Sequence, residues 1–245
     1  MTNISIPDMQ KLKQFIIQFA FRVPIRKELT GGEKKALENV LKNLDAEHFQ
    51  LFEETASKSP ATLFQVIHQL PIGPGTIMVP SFTFLNGSFS FIWPVYMFDQ
   101  YASDFNSLDT SDMNKKMSGW IVTVQNVIGN SNCHRTGKIY EIVLGPFSQA
   151  EKVDVFQKLF SINLDDVGEV NLTFAKYIKS GNSTYNIQTN INYMQRTLED
   201  NFDIRMRVDI NNRKLETFME PNSMGKIWNF ADDTMGSYFE ELLKI

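Results

Sequence analysis

Histidine, cysteine and carboxylate side chains are where chemistry would be sought first, and in this chain they are few and poorly spaced. The histidines, His48, His68 and His134, include no pair at i,i+3 or i,i+4 and no His-Glu-X-X-His helix, so no metal-ligand spacing is present. Cys133 is the single cysteine, which excludes an internal disulfide and any multi-cysteine zinc or iron–sulfur site. It lies beside His134 and Arg135, and a neighbouring cation can lower a thiol pKa. Nothing in the spacing supplies a nucleophile with its base, so Cys133 reads as a loop cysteine. No Gly-X-Ser-X-Gly elbow or Gly-X-Gly-X-X-Gly run occurs. Pro71-Ile72-Gly73-Pro74-Gly75 lacks the lysine and the following helix of a phosphate loop. The reading is therefore of no metal and no cofactor, and it leans away from an enzyme.

Charged residues offer one further constellation. Asp165-Asp166, Asp232-Asp233 and Glu240-Glu241 are adjacent pairs that do not converge on one point, and each reads as a solvated turn or helix face. Asp203, Arg205, Arg207 and Asp209, however, alternate with Phe202, Ile204, Met206, Val208 and Ile210, which lines the charges along one face of a strand. The simplest reading is a solvent-facing ladder of compensating charges that guards a sheet. The functional one makes Arg205, Arg207 and Asp209, together with Arg135, contacts for an anionic ligand or a partner.

The elements that must position these residues follow from period and punctuation. Phe15, Ile17, Phe19, Phe21 and Val23 alternate with the residues between them, which predicts a strand. Thr30-Gly31-Gly32-Glu33 and Ser148-Gln149-Ala150-Glu151 each have capping-box spacing and should open helices. Residues 45–59 are ambiguous and lean towards helix, whereas 63–70 read as a strand. Asn86-Gly87 is a favoured two-residue hairpin turn, which sets Leu85 opposite Ser88, Phe84 opposite Phe89 and Phe82 opposite Phe91. After Trp93-Pro94 that strand should end or lie at an edge. A helical stripe runs from Met113 to Ile128. Further strands are expected at 139–144, ending at Gly145-Pro146, and at 170–178, 183–193 and 202–210. A terminal helix carries Ile227, Phe230, Ala231, Met235, Tyr238, Phe239 and Leu242.

Strand, helix, three strands, helix is thus read twice. The expected fold class is α+β: two β-α-β-β-β-α halves, 1–130 and 131–245, forming curved antiparallel sheets with long helices packed on one face. The halves could equally make one continuous pseudo-two-fold domain.

Three motifs carry a family resemblance. They are the phenylalanine-rich strand at 15–23, the run Arg135-Thr136-Gly137-Lys138-Ile139-Tyr140, and the helix end Tyr238-Phe239-Glu240-Glu241-Leu242-Leu243. The chain resembles an uncharacterised, sporadically distributed bacterial family of similar length, with Arg-X-Gly-X-X-Tyr in mid-chain and an acidic Phe-Glu motif in the last helix. The resemblance spans most of the chain and implies a fold, with no established activity.

Composition bounds the function classes. The 245 residues are 42% hydrophobic and 21% charged with a net charge of −4, values of an ordinary globular protein without a broadly basic surface. No apolar run approaches the ~20 residues of a membrane helix, and no secretory leader is read at the start, so the cytoplasm is expected. Aromatics crowd residues 82–101 with no Lys or Arg between them, which disfavours nucleic acid. The expectation is a non-enzymatic cytoplasmic protein acting by association, as a homodimer or a subunit of a larger complex. A small-molecule or anion-binding protein with a cavity between sheet and helix is the alternative, and an enzyme without recognisable motifs the third reading.

Overall fold

The computed structural model describes residues 3–4, 12–22, 30–42, 49–55, 62–68, 81–85, 88–97, 108–128, 135–148, 151, 169–181, 183–195, 201–212 and 221–242. The strands are β1 (Asn3–Ile4), β2 (Leu12–Arg22), β3 (Phe49–Thr55), β4 (Thr62–His68), β5 (Ser81–Leu85), β6 (Ser88–Met97), β7 (Leu108–Asp109), β8 (Arg135–Ser148), β9 (Glu169–Ser180), β10 (Ser183–Gln195) and β11 (Asn201–Asn212). The helices are α1 (Gly31–Lys42), α2 (Thr110–Ile128) and α3 (Pro221–Leu242). Nine strands form one antiparallel sheet in the order β3-β4-β5-β6-β2-β8-β11-β10-β9, and β1 pairs with β7 in a separate two-stranded ladder.

This architecture corrects the expected class. The α+β fold of two β-α-β-β-β-α halves is not what forms, because most of the described residues lie in strands and nine of those strands join one antiparallel sheet. Two local readings account for part of the difference. Residues 45–59 were expected to lean helical, but Phe49–Thr55 is β3, so four strands of the nine-stranded sheet, β3 to β6, rather than three follow α1. Pairing with β4 along its whole length decides that segment, whose apolar residues fit either period. β8 was expected to end at Gly145-Pro146 and instead continues to Ser148. It does so through an irregularity, with Leu144 opposite Ile204 and Phe147 opposite Phe202. Gly145 takes φ +150° there, and a Cβ on it would run into the Asp203 carboxylate.

Other local signals hold. Leu85 faces Ser88, Phe84 faces Phe89 and Phe82 faces Phe91, as the turn chemistry requires; Asn86 and Gly87 themselves lie outside the described residues. β6 neither ends at Pro94 nor lies at an edge. It is an interior strand to Met97, and the register slips beside the proline, where Phe15 opposes Tyr96 and Ile16 opposes Pro94. Both capping boxes form. Glu33 N–H donates to Thr30 Oγ1 at 3.2 Å while Thr30 N–H donates to Glu33 Oε2 at 2.7 Å. Ser148 N–H donates to Glu151 Oε2 at 2.7 Å, and Glu151 N–H returns to Ser148 Oγ at 3.4 Å.

The core lies between the sheet and α3. Along β11, Phe202, Ile204, Met206, Val208 and Ile210 are all buried, and their cross-strand partners Ile187, Ile191 and Tyr193 on β10 and Tyr140 and Ile142 on β8 share that face. α3 crosses β8 and β11 and packs against α2, which in turn meets α1. Met224, Trp228, Ala231 and Met235 recur every three or four residues and form the buried stripe of α3. Trp228 meets Phe19 edge-on at 5.3 Å, and Phe230 stacks on Tyr185 at 4.0 Å, tying the helix to β2 and β10.

Candidate functional site

Strand alternation decides where the charged residues of β11 go. β11 sends its apolar residues towards α3, so Asp203, Arg205, Arg207 and Asp209 stand on the opposite face of the sheet. Register then pairs the charges across strands. Arg207 lies directly opposite Glu141 of β8 and donates from Nε to Glu141 Oε1 at 3.3 Å. Arg135 places Nη2 3.9 Å from Asp209 Oδ2, and Asn211 Nδ2 donates to Asp209 Oδ1 at 2.7 Å. Lys13 of β2 donates to Asp203 Oδ1 at 2.5 Å. Arg205 is exposed, between Val143 on β8 and Asn192 on β10. The structure therefore brings Arg135, Arg207 and Asp209 together along β8 and β11, with Glu141 as a member that sequence reasoning missed. These pairs are half-open to solvent, where such ion pairs add ~0–1 kcal/mol. Because they face away from α3, neither Arg205 nor Arg207 can line a cavity between sheet and helix.

The inner face holds a polar cluster that the sequence reading passed over. Asp232 on α3 was expected on a solvated face, but it is buried, whereas Asp233 beside it is exposed. Asp232 Oδ1 accepts from Lys138 Nζ at 2.7 Å and from the Tyr140 hydroxyl at 2.6 Å. Its Oδ2 accepts from Lys138 Nζ at 2.8 Å and from Asn114 Nδ2 at 2.9 Å. The Lys138 ammonium also sits 4.6 Å from the Phe19 ring centre. Burial pulls the Lys138 pKa down to about 8 against the opposing attraction of Asp232. Tyr140 is held well above the ordinary tyrosine value, first by burial and then by the Asp232 charge.

Next to this cluster, Thr136 joins three elements. Its hydroxyl donates to the Ala20 carbonyl at 3.1 Å and accepts from the Trp228 indole N–H at 3.2 Å, and its N–H donates to Asn212 Oδ1 at 2.8 Å. The run 135–140, whose Arg-X-Gly-X-X-Tyr spacing drew notice in the sequence, thus contributes Thr136, Lys138 and Tyr140 to one buried polar seam. Chemically the seam is closed. Both side chains of the ion pair have zero exposure, so no substrate reaches either. Its role is to fix β8 against α2 and α3.

Neither a family model, a characterised protein nor a solved structure matches the chain. Function must therefore be argued from geometry.

Two further features are open to solvent. A cleft of about 140 Å3 is lined by Ser183, Thr184, Tyr185, Asn212, Ser223, Lys226 and Ile227, where β10 begins and α3 passes. Ligand pockets for drug-sized molecules usually measure ~300–1,000 Å3, so this one is smaller than such a site. The other is β9, which ends the sheet. Its twelve residues pair with β10 along one side, and among the described residues no strand pairs with the other. Phe174 and Tyr177 are 43% and 55% exposed on its two faces, in contrast with the buried Ile187, Ile191 and Tyr193 of β10. Cys133, His134 and residues 71–75 lie outside the described residues. Among the described helices none is long and apolar enough to cross a membrane.

Proposed function

We propose that the protein works by association with another protein chain through one edge of its sheet, the strand β9, and not by catalysis. The observation that carries this reading is β9: a twelve-residue edge strand with an exposed phenylalanine and an exposed tyrosine. An edge of this length presents a row of N–H and C=O groups that a second strand can pair with, and adding a strand is a recurrent mode of recognition. The fully buried Lys138–Asp232 pair supports the same reading, since the strongest electrostatic feature of the core is inaccessible to a substrate. The cytoplasm of a bacterial cell is the proposed setting, in line with the sequence resemblance. Native mass spectrometry of gently purified protein tests it. A dimer or a hetero-complex mass is expected, and a clean monomer that also brings no partner from its host would overturn it.

A further inference from the structure

We propose that the cleft between the start of β10 and the first turns of α3 binds a phosphoryl group, as free phosphate or as the monoester of a small molecule. This goes beyond the association reading and does not depend on it.

The walls of the cleft follow from periodicity. Ser183 and Tyr185 are two apart on β10 and share a face, and Asn212 of β11 lies directly opposite Tyr185; Thr184 turns its side chain the other way. The stacking of Phe230 on Tyr185 marks the shared face as the one turned to α3. On the helix, Ser223, Lys226, Ile227 and Phe230 fall at i, i+3, i+4 and i+7 and make one stripe above it. Ser183, Ser223 and Lys226 therefore line the cleft from two elements, over a floor of Tyr185, Asn212 and Ile227 in which each residue is at most 6% exposed.

Among the described residues, Lys226 makes no ion pair and the hydroxyls of Ser183 and Ser223 no hydrogen bond, so a cation and two donors stand unused around one space. No carboxylate among those residues lines it, and an anion there meets no like charge. At roughly 30 Å3 per water, a cleft of about 140 Å3 holds about four or five water-sized groups, the size of a phosphorus with its oxygens. A phosphoryl group takes the ammonium as a charge-assisted partner and accepts from the hydroxyls with its remaining oxygens. A neutral ligand would leave the ammonium without a counter-charge, and a carboxylate offers only two oxygens to donors that arrive from both walls. The arginines of β11 stand on the far face of the sheet, so Lys226 is the cation this cleft presents.

The test titrates the full chain with inorganic phosphate by isothermal titration calorimetry, with chloride at matched ionic strength as the reference. Saturable heat is expected with phosphate and not with chloride. Lys226→Gln should weaken phosphate binding on the order of tenfold, through loss of one charge-assisted contact, and Ser223→Ala should weaken it less. Lys35→Gln, which removes the same charge from α1, should leave binding unchanged. Unchanged far-ultraviolet circular dichroism would show that each variant folds. Glycerol 3-phosphate is the second arm. Tighter binding than phosphate identifies a monoester as the ligand, and equal or weaker binding identifies the free anion; both results support the site. No saturable heat with phosphate, or a response that Lys226→Gln leaves at the wild-type level, overturns the proposal. Native mass spectrometry reads association separately, so failure of one reading is told apart from failure of the other.

Discussion

Asp232 shows how much one buried carboxylate can organise. It holds Lys138, Tyr140 and Asn114 at 2.6 to 2.9 Å, so one strand and two helices, β8, α2 and α3, meet at two oxygen atoms. A buried ion pair adds little net stability compared with apolar residues of the same shape, yet removing one member strands the other charge. Asp232→Ala is therefore expected to cost about 3–5 kcal/mol in urea denaturation, and Lys138→Met combined with Asp232→Leu should recover much of that loss. Equal losses in single and double variants would show that the pair does not act as a unit. The same pair gives a pH signature. Lys138 has a pKa of about 8 when folded, against its ordinary 10.5, so between those values the unfolded chain holds more protons. Stability must then rise with pH through that window, by at most about 1.4 kcal/mol per pH unit, and stay level below it. Tyr140 works the other way, because its raised pKa makes the unfolded chain ionise first and lowers stability above about pH 10. Urea midpoints should climb from about pH 8 and turn over near pH 10, and Lys138→Met should remove the climb. A wild-type profile flat across that range would sink the assignment.

At the scale of elements, β8 is where local rules and long-range fit meet. Gly137 is packed so closely on β11 that a Cβ there would meet Asn211 Cβ at 2.6 Å and Asn211 Cα at 2.9 Å, and would also strike the Ile210 carbonyl. These are main-chain or strand-bound atoms that cannot swing aside. Gly137→Ala should lower stability by about 1–3 kcal/mol, read from the thermal midpoint, whereas alanine at Gly119, which has open space around it, should not. This element also shows what a sequence discloses. The β5–β6 register was legible because an Asn-Gly turn fixes it within two residues, and the alternation of β11 was legible because period alone defines it. The adjacency of β2 and β8 was not, since no turn links Phe19 to Lys138. The buried pair was half written. Lys138 falls on the same strand face as Tyr140 and Ile142, and Asp232 falls four residues after Trp228 and three before Met235, both at core spacing. A charge at core spacing on a strand and its opposite on a helix is a signal for a pair, but neither points to the other without the fold. The alternation that sets Arg205, Arg207 and Asp209 on one face of β11 was legible, whereas the pairing of Arg207 with Glu141 needed the β8–β11 register.

For the whole molecule, the sheet runs unbroken from β3 to β9, and β2 with β8 joins its two sides over ten paired positions. Among the described residues, no break in pairing separates strands drawn from the first part of the chain from those of the second. Unfolding should therefore be a single cooperative step, with near- and far-ultraviolet circular dichroism giving coincident transitions. Two resolved transitions would show that the β2–β8 ladder is weaker than its length suggests. The Lys138–Asp232 pair has a consequence in time as well. The two residues lie 94 positions apart. At a translation rate of ~5–20 residues per second, roughly 5–19 seconds separate the addition of the lysine from that of its carboxylate. Through that interval the strand that will form the middle of the sheet keeps its charge hydrated. The nascent chain is thus kept from closing its core early, and emergence of the last helix becomes the event that commits it to fold.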